Sequence, residues 1–147
     1  MIKTFRGLLT DDDVQTLSLH TPDGSTGYRI VKFEIISKTP GANDMEATVT
    51  ISKVNFTPST SIDLSDQTVL AVAYWHQAGN LAYPDTDHKI LFDKEIFNQD
   101  IYIGYNDLNS NDGMNYYIEL EQVKLDLNQN TVATLKDLRN VFVPPDV

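Results

Sequence analysis

The sequence predicts an all-β fold: an antiparallel β-sandwich, jelly-roll-like, of about eight strands, with one short C-terminal helix. Three observations lead there. Short runs of alternating apolar and polar residues recur along the chain, as in strands with one dry face and one wet face. Turns containing Gly, Pro and Asn separate these runs at near-regular spacing. Only one stretch, towards the C terminus, carries apolar residues at helical spacing. A barrel is the competing architecture, and no strand–helix alternation suggests a parallel sheet. At 147 residues the chain is expected to be a single domain, 1–147, long enough to bury one core.

The elements follow in order. VQTLSLH, residues 14–20, places Val14, Leu17 and Leu19 in an imperfect alternation. TPDGSTG, 21–27, is a turn built from Pro, Asp and glycines. In YRIVKFEIIS, 28–37, Val31, Phe33 and Ile35 share one face, and Lys32 and Glu34 the other. KTPGAND, 38–44, is a second turn. EATVTISKV, 46–54, sets Ala47, Val49 and Ile51 against Thr48, Thr50 and Ser52. SIDLSDQTVLAVAYWH, 61–76, opens on a helical turn capped by Ser65, whose oxygen can satisfy free N–H groups. It continues into a buried strand, VLAVAYW, rich in β-branched and aromatic residues.

HKILFDKEIFNQDIYIGYND, 88–107, reads as two strands or one bent one. MNYYIELEQVKLDL, 114–127, is the strongest strand, with Tyr116, Ile118 and Leu120 opposed to Tyr117, Glu119 and Glu121. Its apolar phase then moves to Val123 and Leu125, as a β-bulge would cause. In NQNTVATLKDLRN, 128–140, Val132, Leu135 and Leu138 follow helical spacing, and Asn130 or Thr131 caps the start. Lys136 and Arg139 suit the negative pole at the helix end. The prolines of VFVPPDV stop the helix.

Bulk composition narrows the function classes. Eleven basic residues against 21 acidic ones give a net charge of −10. That field repels DNA and anionic membranes, so neither nucleic acid nor membrane is an expected partner. The absence of cysteine excludes disulfides, thiolate metal sites and cysteine nucleophiles. Met1, Ile2, Lys3 and Thr4 lead into polar sequence with no apolar signal region. The longest apolar run, residues 69–75, is far too short to span a bilayer.

Chemistry-bearing motifs are few. DLNSNDG, 107–113, places oxygens at Asp107, Asn109 and Asn111, as a calcium loop begins. Such a loop needs glycine at its sixth position and a bidentate glutamate at its twelfth. Gly113 and Glu119 each come one residue late, and strands replace the flanking helices. The expectation is a hairpin loop whose Asn and Asp side chains bond their own backbone, with weak calcium binding as the alternative. Asp11, Asp12 and Asp13 read as a solvated turn. His76 and His88 flank Asp85 and Asp87, a conceivable ligand set, but no His pair, His20 included, has metal-site spacing. No G-x-S-x-G, Walker loop or G-x-G-x-x-G is present, and DGSTGY, 23–28, reads as a hairpin. Glu119 and Glu121 share a strand face, where solvation suffices to explain them. No catalytic residue, cofactor or metal is therefore expected, and the chain is not read as an enzyme. Tyr74, Trp75 and Tyr83, or Tyr102, Tyr105, Tyr116 and Tyr117, suit a sugar-stacking platform, a protein contact, or ordinary sheet packing.

Two segments carry a resemblance. The start, KTFRGLL…QTLSLHTPDGSTGYRIVKFEI, resembles the beginning of small virion-associated proteins of marine tailed bacteriophages. The end, NYYIELEQVKLDLNQNTVATLKDLRN, is similar to the closing strand and helix of the same group. Together they cover roughly half the chain. The resemblance implies a structural protein of the phage particle: a head-decoration, cement or tail-associated subunit present in many copies. It would be made in the host cytoplasm without a signal peptide, reside in the virion, and bind itself and other virion proteins. The contacts are then expected at Tyr74, Trp75, Tyr102 and Tyr105, and in the apolar tail at Val141, Phe142 and Val143. A carbohydrate-binding β-sandwich with a glycan partner is one rival; a hydrolase with a carboxylate site outside known motifs is the other.

Overall fold

The computed structural model describes residues 1–42, 44–78, 85–109 and 112–142, with the backbone alone for 85, 86 and 138–142. Among the described residues eight strands precede one helix: β1 (Ile2–Leu9), β2 (Val14–Leu17), β3 (Thr26–Ser37), β4 (Met45–Ser52), β5 (Val69–Ala78), β6 (Asp85–Phe92), β7 (Ile101–Asp107), β8 (Met114–Lys124) and α1 (Leu127–Phe142). They form a three-stranded sheet, β1-β8-β3, and a five-stranded sheet, β2-β7-β4-β5-β6. Every strand pairing in both is antiparallel. The expected β-sandwich with a C-terminal helix is therefore the observed fold.

The core is the seam between the inner faces. Met114, Tyr116, Ile118 and Leu120 line β8, and Met45, Ala47, Val49 and Ile51 line β4. Each set occupies alternate positions, because side chains of a strand point to opposite faces in turn. Fully burying a side chain the size of Ile, Phe or Met stabilises by roughly 1.5–3 kcal/mol, so this seam carries most of the driving force.

Four local expectations change. Strand β1 was hidden in the sequence, because its inward-facing positions hold Lys3 and Gly7 beside Phe5 and Leu9. The bulge expected after Leu120 is not in β8, which pairs without a break, and a different one lies in β3. Ile30 faces Leu120 and Lys32 faces Glu119, so Val31 is the extra residue. Val31 consequently turns out, at 37% exposure, while Tyr28 and Ile30 face the core before the bulge and Phe33 and Ile35 after it. Ser65 caps no helix. Asp63 Oδ1 accepts from Ser65 N–H at 3.0 Å, and Asp66 Oδ1 from Thr68 N–H at 2.9 Å, giving two successive Asx turns. The cap of α1 is Asp126 rather than Asn130 or Thr131. Gln129 N–H donates to Asp126 Oδ1 at 2.8 Å, and Asp126 N–H to Gln129 Oε1 at 3.1 Å, a reciprocal capping box.

Between β6 and β7, Phe97 forms an isolated bridge with Tyr28. Its N–H and C=O both bond the Tyr28 backbone, at 2.9 and 2.8 Å, and the rings stack at 6.3 Å. This fixes the 93–100 segment beside β3, where it becomes the floor on which α1 rests.

Candidate functional site

Asp107, the last residue of β7, is buried. Its Oδ1 accepts from Glu46 N–H and Asn109 N–H, both at 3.1 Å, and Oδ2 lies 3.4 Å from the Tyr105 hydroxyl. The carboxylate is thus committed to holding backbone, which is the hairpin-loop role. Asn111 lies outside the described residues. Among the described residues no group of three His, Asp or Glu side chains is arranged to hold a metal ion.

Nearby, Asp12 N–H donates to Tyr105 O at 2.8 Å, and Asp107 N–H donates to Asp11 Oδ1 at 2.8 Å. The acidic turn is therefore a clasp between the β1–β2 connection and β7. Asp12 takes φ 61°, a left-handed conformation that aspartate tolerates better than most residues. Burial, then the charges of Asp107, Asp11 and Asp112, push the Tyr105 hydroxyl far above its usual range. It stays protonated and donates to Asp112 O at 2.8 Å.

The histidines serve similar purposes. His20 Nδ1 lies 2.7 Å from Asp100 Oδ1, which also accepts from Leu19 and His20 N–H at 2.8 and 3.0 Å. Burial opposes ionisation of Asp100, but these bonds outweigh it and hold its carboxyl below the usual range. On the outer face of β4 and β5, Glu46 accepts from the Tyr74 hydroxyl at 2.7 Å and meets His76 Nδ1 at 2.8 Å. The bond to Glu46, then burial, pushes Tyr74 up to about 12. His76 pairs with Asp87 across the β5–β6 ladder, and Trp75 with His88. Adjacent pairs project to opposite faces, so His76 and His88 do not converge.

Two of the four aromatic contact candidates are not at the surface. Trp75 and Tyr105 are buried, since β5 and β7 turn those alternate positions to the core. Trp75 Nε1–H donates to Gln77 Oε1 at 2.9 Å inside the sandwich. Tyr74 and Tyr102 are half-buried on the outer face. Of the tail candidates, Val141 and Phe142 close α1 with backbone alone described, and Val143 and Tyr83 lie outside the described residues.

The most unusual part of the molecule is the seat of α1, which sequence reasoning missed. Asn98 is fully buried. Its Nδ2 donates to Thr134 Oγ1 at 2.7 Å, Gly24 O at 3.1 Å and Asn130 Oδ1 at 3.3 Å, and its N–H donates to Asp137 Oδ2 at 3.2 Å. Asn130 Nδ2 donates in turn to Asp23 O at 2.6 Å. Gly24, at φ +65°, makes room for this: a Cβ there would stand 2.5 Å from Asn130 Oδ1.

Charges complete the seat. Lys53 Nζ is buried, 2.7 Å from Glu95 Oε1 and 3.5 Å from Asp137 Oδ1, and Lys136 also reaches Glu95. No hydrogen bond reaches Asp137 Oδ1 among the described residues. Lys53 supplies it with charge rather than a directed bond. Burial therefore raises the Asp137 carboxyl above 3.8, only partly offset by Asn98 N–H and Lys53. For Glu95 burial is outweighed by the bonds from Lys136 and Lys53, and its carboxyl falls below 4.5.

The inward stripe of α1 is thus Asn130, Thr134 and Asp137. Leu127, Val132 and Leu135 face solvent at 79%, 65% and 63% exposure. This reverses the expectation that Val132 and Leu135 mark the packed face. The helix rests on turns lined with carbonyls and Asn98, so polar side chains fit inward. Residues 130, 134 and 137 share helical spacing, and that polar stripe was the available signal.

No protein-family model matches the chain, and no curated protein matches it. No helix among the described residues is long and apolar enough to cross a membrane.

Proposed function

We propose that this chain is a non-enzymatic structural subunit of a bacteriophage particle, of the decoration, cement or tail-associated kind, that binds neighbouring protein subunits. The observation that carries this reading is the outward apolar stripe of α1. Leu127, Val132 and Leu135 keep most of their surface exposed in the fold. Each would contribute about 1.5–3 kcal/mol if fully buried against a partner. A net charge of −10 disfavours an anionic lipid surface as that partner, and a protein subunit is the partner this reading takes.

The resemblance adds support. Its two segments fall on β1, β2 and β3 and on β8 and α1. Between them they supply all three strands of one sheet and the helix. Segments distant in sequence thus form one structural unit. The glycan reading loses its best platform with Trp75 inside the core.

Mass spectrometry of purified particles, from a host carrying the gene, is expected to find this chain. Combined substitution Leu127→Ser, Val132→Ser and Leu135→Ser is expected to leave the fold intact and exclude the chain from particles. Particles that lack the wild-type chain, or that retain the triple variant equally, overturn the reading.

A further inference from the structure

Among the described residues strand β1 ends its sheet and pairs with β8 alone. The ladder decides which of its backbone groups are left over. Gln122 N–H donates to Met1 O at 2.8 Å. The odd-numbered residues of β1 therefore exchange bonds with β8, and the N–H and C=O groups of Ile2, Thr4, Arg6 and Leu8 point to the open edge. Among the described residues one bond reaches that edge, from Gln15 Nε2 to Leu8 O at 3.1 Å. A carbonyl oxygen has a second lone pair, so Leu8 O remains able to accept. An open edge of eight residues is a template for another strand unless charge or proline blocks it.

We propose that β1 pairs antiparallel with β1 of a second copy, across a two-fold axis at Phe5. In this register Ile2 faces Leu8 of the second copy, Thr4 faces Arg6, Lys3 faces Gly7, and Phe5 faces Phe5. The match is self-complementary, as an isologous interface requires. Ile2 and Leu8, both exposed apolar residues, cover each other at both ends. The half-buried Phe5 rings form a non-hydrogen-bonded pair, the kind in which side chains come closest. Lys3 is the one charge that would guard this edge from the inward side. It lies 5.6 Å over the Phe5 ring and meets a glycine, which presents no side chain.

Neighbouring registers are worse. Moving the axis to Arg6 sets two guanidiniums directly opposite each other. Moving it to Thr4 separates Ile2 from Leu8. Charge favours the chosen register despite the net −10 on each copy. β1 carries Lys3 and Arg6 and no acid, while Glu119 of β8 stands beside Thr4. Arg6 of one copy lies over Thr4 of the other and points towards that glutamate across a short side chain. The result is one continuous sheet made of two three-stranded halves.

This deepens the assembly reading by naming a second copy and the strand it uses; α1 takes no part. Sedimentation velocity on the full chain is expected to show a dimer at roughly 100 µM that dissociates on dilution. Thr4→Pro deletes an edge N–H that no bond among the described residues uses, so its melting temperature is expected to stay close to wild type. The dimer is expected to weaken at least about ten-fold, since proline blocks edge pairing. If Thr4→Pro does not fold, Thr4→Lys, which sets an ammonium opposite each Arg6, is read the same way. The chain has no native cysteine, so Phe5→Cys is expected to form an intermolecular disulfide under mild oxidation and Thr4→Cys is not. A monomer at that concentration, a dimer indifferent to the residue 4 variant that folds, or equal cross-linking at positions 4 and 5 overturns the proposal. A β1 dimer absent from particles upholds this pairing and overturns the virion role; a monomer found in particles does the reverse.

Discussion

Between the two sheets, Leu9, Ile30, Phe33, Met45, Ile103 and Ile118 meet through apolar surface, whereas under α1 the meeting groups are Asn98, Asn130, Thr134, Lys53, Glu95 and Asp137. The first junction is held by a non-directional force proportional to area. It tolerates small shifts and dominates folding. The second is held by directed bonds and buried charges, each stabilising only while its partner is in place. One junction makes the domain; the other positions an appendage whose Leu127, Val132 and Leu135 stay exposed. The difference predicts two separable responses to mutation.

The largest effect belongs to the apolar junction. Phe33→Ala empties a fully buried site between the sheets and is expected to cost about 3–5 kcal/mol. Chemical denaturation followed by tryptophan fluorescence should show it, since Trp75 is in the same core. Sheet and helix signals are expected to be lost together, because α1 has no seat without the sandwich. A helix that survives loss of the core signal would break the comparison.

A smaller and local effect is expected at the polar junction. Lys53→Ala leaves Asp137 buried without its nearby cation and Glu95 with Lys136 alone. Stranding a buried polar group costs about 1–3 kcal/mol, and more when it is charged, but the helix can escape most of that cost by lifting away. Far-UV circular dichroism should then show helical signal lost at a lower temperature than the Trp75 transition. A single coincident transition, shifted as a whole, would mean that the seat belongs to the core.

This contrast also explains what the sequence made legible. β4 and β8 were readable because both alternate apolar with polar residues, although the polar face of β4 is covered, with Thr48 and Ser52 buried and bonded to Thr60 O and Thr68 O. β1 was not, because Lys3 and Gly7 occupy its inward side and erase the apolar period. The bulge of β3 went unread, because Val31 fits an apolar alternation with Phe33 and Ile35, and the phase change after Leu120 in β8 marks no bulge, since that strand pairs without a break. The helix was legible as a helix and illegible as to its facing. Apolar spacing at Val132 and Leu135 normally marks the packed side, and the rule fails where the floor is polar. That floor is built by Gly24 and Asn98, which come from loops 74 residues apart, and no local pattern links them to α1. Asp107 was readable as a backbone-bonding turn residue through its local bond from Asn109 N–H, whereas its bond from Glu46 N–H and the burial of Trp75 and Tyr105 depended on how distant strands met.

The smallest expected effect sharpens the comparison through pH. In the docked helix Asp137 binds its proton more tightly than its ordinary 3.8. As pH rises from 3.8 through that raised value, the docked state must give up a proton that the released state has already lost, so docking weakens with rising pH. Glu95 acts in the opposite sense. Its value is depressed below 4.5, so its contribution is present above 4.5 and is lost as pH falls through the folded value. The two slopes partly cancel in the wild-type seat. Asp137→Asn keeps the volume and an oxygen for Asn98 N–H, and removes the Asp137 slope alone. The amide also changes the baseline, because it cannot attract Lys53, but a constant offset leaves the slope interpretable. Melting of the helical signal at a series of pH values above 3.8 is therefore expected to show docking that strengthens more steeply with pH in Asp137→Asn than in wild type. Matching slopes would mean that Asp137 is protonated equally in both states, and that the buried oxygen finds water once the helix is in motion.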